Sequence, residues 1–316
     1  MIKLMMISIV SMLLLIGCGT TETEEPQVEE ESEPPVEETE ESTDDLEDED
    51  TDTSEEDEAE IYQEENYTQS IVPIVEWLWY DQDDLLAFRL HVTEDDLTTE
   101  ERMKQSFIES DVTIQESFDE LVDVTIDDDT ATLTFTDEHE LASLASTEQM
   151  HLTETLEVIS SLYKITELNF YVDDQAGIDY GQTGQVESMS IETDSNRGYY
   201  LVTDEELLEG SETRTYLPSF KLDSEIDSNA DLYETITAMS EVPDASFDLD
   251  SAIPSEVMIQ EVETEGERVE VYYEISDETK RDDLIETLAL TLMDFAFNEL
   301  HLIDDSNQLT TIVNLN

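Results

Sequence analysis

The stretch LTETLEVISSLYKITELNFYVDD, residues 152–174, lines up without gaps on LIETLALTLMDFAFNELHLIDDS, residues 284–306. Leu152, Glu154, Thr155, Leu156, Glu167, Leu168 and Asp173 each meet the same residue type 132 positions further on. In both pieces apolar residues first recur at helical spacing and then alternate, which predicts a helix running into a strand. Upstream, DVTIDDDTATLTF (123–135) meets EVETEGERVEVYY (261–273) at an offset of 138, and AFRL (87–90) meets SFKL (219–222) at 132. Matching pieces in matching order predict two tandem copies of one unit.

Each copy reads as mixed α and β. In the first, VEWLWY and LLAFRLHV predict strands around a polar turn at Asp81 to Asp84. Thr98 followed by Glu101 predicts a capping box opening a helix through about Glu109, with Met103 and Phe107 facing inward. Val122, Val124 and Ile126, then Ala131, Leu133 and Phe135, alternate with polar residues around Asp127 to Asp129, as in a hairpin with one buried face. Ser146 and Gln149 are read as opening a second helix lined by Leu152, Leu156, Ile159 and Tyr163; Leu168, Phe170 and Val172 form the closing strand.

The second copy repeats the order. Leu232, Ile236 and Met239 line its first helix. Val269, Val271, Tyr273 and Ile275 follow a Glu265-Gly266 turn, and Ile285, Leu288, Leu292 and Ala296 line its second helix. The expected fold class is α+β: two tandem small domains, 61–184 and 195–316, each a mainly antiparallel sheet with two helices on one face. GQTG (181–184) falls between them and reads as linker.

The chain of 316 residues carries 86 acidic and 11 basic side chains, a formal charge of -75. Residues 22–60 hold 23 acids and no base, and residues 61–316 still carry -53. Clustered Lys and Arg for phosphate binding are lacking, so nucleic acid is excluded as a partner. The segment 18–60 is Glu, Asp, Thr, Ser and Pro with Val28, Val36 and Leu46 as its sizeable apolar residues, and is expected to be a disordered stem. A flexible chain of that length spans roughly 35 Å and at most about 140 Å, which makes it a spacer.

Before the stem, Lys3 and an apolar run from Ile9 to Ile16 read as a targeting segment, residues 1–17. Leu15-Ile16-Gly17-Cys18 resembles the lipobox of bacterial lipoproteins, in which the small residue before the cysteine lets a signal peptidase cut and Cys18 receive lipid. Cys18 is the sole cysteine, so once it is lipidated the folded part has no disulfide.

Patterns that carry catalysis are missing: there is no Gly-x-Ser-x-Gly elbow, no His-Glu-x-x-His and no phosphate-cradling glycine loop. His91, His139, His151 and His301 are scattered. Asp83-Asp84, Asp127 to Asp129, Asp173-Asp174 and Asp304-Asp305 do not follow the calcium-loop spacing. No catalytic residue, cofactor or metal ligand is expected. The candidate contact residues are the aromatics Trp77, Trp79 and Tyr80 on one strand and Tyr199 and Tyr200 near the start of the second copy.

A lipobox followed by two copies of strand pair, helix, hairpin, helix and strand resembles the GerMN family, the sporulation and spore germination domain. The hairpin VTIDDDTATLTF leading through 152–174, and VETEGERVEVYYEI leading through 284–305, carry the likeness. The resemblance covers about residues 71–182 and 197–316. It implies a fold similar to the ring-building motifs of secretion machines and a non-enzymatic, lipid-anchored assembly protein on the extracytoplasmic face of the membrane, with an envelope or sporulation protein as partner. A small-ligand or calcium-binding envelope lipoprotein is the alternative.

The charge of the folded part points to a salt-rich habitat. Like charges repel over a Debye length of about 8 Å at 0.15 M salt but about 3 Å at 1 M. The urea midpoint followed by circular dichroism is expected to rise as NaCl is raised from about 0.1 M to about 1 M; an unchanged midpoint contradicts the reading.

Overall fold

Alternating apolar strands, tight polar turns and capped helices build an α+β fold of mainly antiparallel sheets, with four α-helices among the described residues. The computed structural model describes residues 62–192, 197–211, 213–222, 226–227, 229–295 and 297–315. The targeting segment, Cys18 and the acidic stem lie outside them.

β1 (Gln63–Tyr67) precedes a long hairpin of β2 (Ser70–Tyr80) and β3 (Asp83–Thr93). Its two-residue turn places Asp81 and Gln82 at φ 44° and 80°. Two successive positive φ values are what a turn matching the right-handed strand twist requires. α1 (Thr99–Glu109) follows with the expected capping box: Glu101 N–H donates to Thr98 Oγ1 at 3.3 Å, and Thr98 N–H to the Glu101 carboxylate at 2.9 Å. Met103 and Phe107 are buried beneath it.

β4 (Leu121–Asp127) and β5 (Thr130–Phe135) form the next hairpin, and α2 (Ser146–Leu162) crosses over to β6 (Glu167–Val172), which runs parallel to β5. β7 (Gln175–Ala176) folds back on β6, β8 (Ile178–Tyr180) and β9 (Gly184–Val186) make a small hairpin, and β10 (Ser188–Ser190) pairs with the free side of β6. The second half supplies β11 (Tyr199–Val202), β12 (Thr215–Pro218), α3 (Leu232–Met239), β13 (Leu249–Ser251), β14 (Val257–Glu265), β15 (Arg268–Ile275), α4 (Arg281–Asp294), β16 (Glu299–Asp304) and β17 (Leu309–Asn314). β15 and β16 are again parallel across a helix.

The internal repeat is visible in the coordinates. β6 and β16 are related by 132 positions, and β5 and β15 begin 138 apart. β4 and β14 each carry a bulge, Leu121/Asp123 and Ile259/Glu261, at that same 138 offset. A bulge on an outer strand twists the edge away from further pairing, and both copies use one.

The repeats do not stand apart. β2 and β3 join β11, β12 and β13 in one five-stranded sheet, with β3 antiparallel to β12 at the middle. β1, before the first copy, pairs in parallel with β17 at the end of the second. One continuous core runs through both copies, where the Phe88 ring meets Tyr199 edge-on at 5.6 Å.

Several local expectations change. Val122 is exposed, because the bulge turns Leu121 inward in its place. The second helix is capped one residue earlier than the Ser146 reading: Ala145 is the N-cap and its N–H donates to Glu148 at 2.8 Å. SFKL is not a strand like AFRL; β12 ends at Pro218, which lacks an N–H, and Ser219 to Lys221 form a 3-10 turn. GQTG is not a linker but the turn of the β8–β9 hairpin, with Gly181 at φ 46° and Gly184 at φ 80°. Ala296 lies outside the described residues.

The helices α2 and α4 end side by side on a buried ion pair. Asp294, the last residue of α4, has its carboxylate fully buried and accepts from the Arg197 N–H at 2.9 Å, from the Arg197 guanidinium and from the Tyr199 hydroxyl at 3.0 Å. The same guanidinium donates to Ser161 Oγ on α2 at 2.8 Å. Lys164, at φ 60° just past α2, donates its ammonium to the Asp294 carbonyl at 2.8 Å. An acid at a helix C-terminus opposes the helix dipole, and these cations offset it. Burial drives the Tyr199 phenol well above its usual range, with the Asp294 charge adding to the effect.

Burial also lowers the Lys164 ammonium from 10.5 to about 8, with Asp294 opposing the shift and Arg197 reinforcing it. Between these values the unfolded chain keeps a proton that the folded chain has released, so stability rises with pH. The urea midpoint of the wild type is expected to climb from about pH 8 to about pH 10, and Lys164→Met to flatten that climb. An equal slope in both proteins contradicts the assignment.

Candidate interaction surface

The scarce bases are engaged within the chain. Beyond the stem the sequence has ten, and all ten carry a carboxylate or carbonyl partner among the described residues. Arg102 donates to the Leu315 carbonyl at 2.9 Å, Lys104 to the Val122 carbonyl at 2.7 Å, and Lys221 pairs with Glu154 at 3.0 Å. Arg281 holds Glu65 of β1 at 2.6 Å. Arg89 lies between Glu76 and Glu109, Arg214 between Asp283 and Glu286, Arg268 between Glu265 and Glu270, and Lys280 meets Asp283. Lys164 and Arg197 serve the buried pair. No cationic patch is left over, and the outer surface is one of carboxylates.

The aromatic candidates divide by the pleat of β2. Trp77 and Trp79, two residues apart, share one face. Trp77 lies against α2, its ring stacked on His151 with centroids 4.0 Å apart and its Nε1–H donating to Thr155 at 3.3 Å. Trp79, one step nearer the turn, is 66% exposed. Tyr80 faces the other side, edge-on to Phe247 at 4.9 Å, with its hydroxyl donating to the Ser246 carbonyl at 2.9 Å. Tyr199 and Tyr200 are both buried, the first in the Asp294 network and the second donating to the Ala238 carbonyl at 3.3 Å. Both are covered on the faces of the sheet, Tyr199 by Phe88 and Asp294 and Tyr200 by the end of α3. The structure does not bring the five aromatics together, and Trp79 alone of them is largely exposed.

The histidines stay separate. His91 pairs with Glu109, His151 with Asp84 and His301 with Glu299, each on its own element. Burial lowers the His139 imidazole, against which Asp179, Asp137 and Glu120 act. The acid pairs shape turns: Asp129 accepts from the Thr166 hydroxyl at 2.7 Å, and Asp304 accepts from Asn307 N–H at 3.1 Å. Among the described residues no three His, Cys, Asp or Glu side chains gather as a metal site. No described helix is long and apolar enough to cross a membrane.

Two open grooves among the described residues are each larger than 700 Å³. One, of about 740 Å³, runs along α2, where Gln149 holds the GQTG turn by accepting Gln182 N–H at 2.9 Å and donating to Thr183 at 2.8 Å. A side chain on Gly181 would collide with that Gln149 amide. Exposed Met150 and Phe220 and the carboxylates of Glu154 and Glu192 line the rest. The other, of about 770 Å³, flanks α3 and is lined by Tyr233, Val242 and Pro243, which the sequence reading passed over. The available signal was Tyr233, an aromatic next to Leu232 and so off the helix's inner stripe.

Comparison with known proteins gives the following. No family model matches the chain, and no curated protein matches it. Among solved structures the chain is similar to the tandem GerMN domains of the sporulation protein GerM from Bacillus subtilis, with a TM-score of 0.37 and 13% identity, over 77% of this chain and 96% of that one. It is also similar to a crystal structure described as "Putative Lipoprotein from Clostridium perfringens", with a TM-score of 0.23 and 16% identity, over 39% of this chain and 87% of that one.

The two tryptophans are expected to respond differently to truncation. Trp77→Ala should cost about 2 kcal/mol or more by leaving His151 and Thr155 without their packing partner. Trp79→Ala should stay within about 0.5 kcal/mol. Urea melts followed by circular dichroism separate them, and equal losses contradict the placement.

Proposed function

We propose that this protein is a lipid-anchored, non-enzymatic adaptor of the bacterial cell envelope, tethered through Cys18 on the extracytoplasmic face and lifted from the membrane by its acidic stem. The folded body presents a contact surface to another envelope protein. The reading is carried by Trp79: a large aromatic, 66% exposed, on an eleven-residue strand and next to a tight turn that cannot fold it away. Exposed tryptophan on a rigid support is the residue type that anchors protein contacts. The likeness of the sequence to the GerMN family makes an envelope complex of sporulation or germination the setting to search first.

A small-ligand lipoprotein is the second reading, favoured by the groove along α2 with its amide, hydroxyl and carboxylate lining. The two separate experimentally. A photo-crosslinking amino acid at position 79 of the full chain in living cells is expected to capture one predominant protein, and the same group at exposed Glu263 on β14 to capture none. Equal patterns from both positions remove the adaptor reading.

A further inference from the structure

The groove beside α3 joins an apolar floor to an apolar rim. Its floor is apolar: Ile226 and Tyr200 are buried, and Ala230 and Ala238 are half-buried. On its rim Tyr233 and Val242 stand 48% and 52% exposed, next to Pro243. Two exposed apolar side chains lining one groove mark it as a contact surface more than scattered single ones do.

Carboxylates frame the apolar strip. Asp227, Glu234 and Glu241 all line the groove. The charge of Glu241 reaches the floor, where it adds to burial in raising the Tyr200 phenol. Glu234 caps its own helix, its carboxylate accepting from Asp231 N–H at 3.1 Å, yet neither it nor Glu241 meets a cation among the described residues. The ten bases beyond residue 60 are engaged elsewhere, so Glu234 and Glu241 stay available to a cationic group of another molecule.

An apolar trough with an acidic rim fits a helix whose one face is apolar and whose flanks are basic. The geometry points to this groove as the docking site for a cationic amphipathic segment of the partner protein. α3 has eight residues and so extends about 12 Å. It therefore offers room for about two turns of a partner helix. This assignment rests on the adaptor reading and adds the chemistry of the partner to it.

The test uses the purified full chain and three fluorescein-labelled peptides. One is a Lys/Leu helix with leucines at i, i+3, i+4 and i+7; the second has the same composition in scrambled order; the third carries Glu in place of Lys. Because the whole protein is acidic, both cationic peptides are attracted, and only the ordered one can fill the groove. Anisotropy at physiological salt should show the ordered peptide binding about tenfold more tightly than the scrambled one, and the Glu peptide not binding. Tyr233→Ala and Glu241→Lys should each weaken the ordered peptide about fivefold, while Trp79→Ala leaves it unchanged. Both substitutions fall on exposed positions, and circular dichroism verifies the fold.

Equal binding of ordered and scrambled peptides, or no effect of Tyr233→Ala and Glu241→Lys, overturns the groove assignment. The adaptor reading stands or falls separately, on crosslinking at position 79.

Discussion

Asp294 is the point on which the two repeats are fastened together. Its carboxylate is fully buried at the end of α4, where the helix dipole disfavours a negative charge. It persists there because Arg197 supplies both a main-chain N–H and a guanidinium, Tyr199 supplies a hydroxyl, and Lys164 attends the carbonyl. Removing one partner of such a buried pair typically costs about 3–5 kcal/mol, because the other charge is left uncompensated. At the equivalent position of the first repeat stands Leu162, so the pair breaks the internal symmetry where the copies meet. The ion pair thereby distinguishes the two helix ends and fixes which packs on which.

Scarcity of positive charge explains much of what surrounds this hub. With so few bases, several tie distant parts of the chain together: Arg102 to the Leu315 carbonyl, Arg281 to Glu65, Lys221 to Glu154. The exposed pairs contribute little individually. Their effect is distribution, since each cation is held by a carboxylate or a carbonyl and most of the acids have no base to meet. Such a surface repels acidic neighbours at low ionic strength and selects partners by their charge.

Local sequence order carried the fold well. The 132-residue offset survives as β6 and β16, and the capping box at Thr98 and Glu101 sits where the motif places it. What failed were features set by neighbours distant in sequence. Val122 satisfies the alternation rule, but a bulge removes it from the core. SFKL matches AFRL in letters, but Pro218 ends its strand first. Tyr199 and Tyr200 look like surface aromatics, but Phe88, Asp294 and α3, all distant in sequence, cover them. The groove beside α3 was illegible for the same reason, because it forms between a helix and loops that no local period describes.

The chain's first described strand lies in parallel beside its last, over five residues from Gln63 to Tyr67. Gln63 N–H donates to the Gln308 carbonyl at 2.8 Å, and Arg281 grips Glu65 from α4. β1 is thus held at two levels, by main-chain pairing with β17 and by a side chain 216 positions further on, so loss of β17 would strip the first described strand of its main-chain partner.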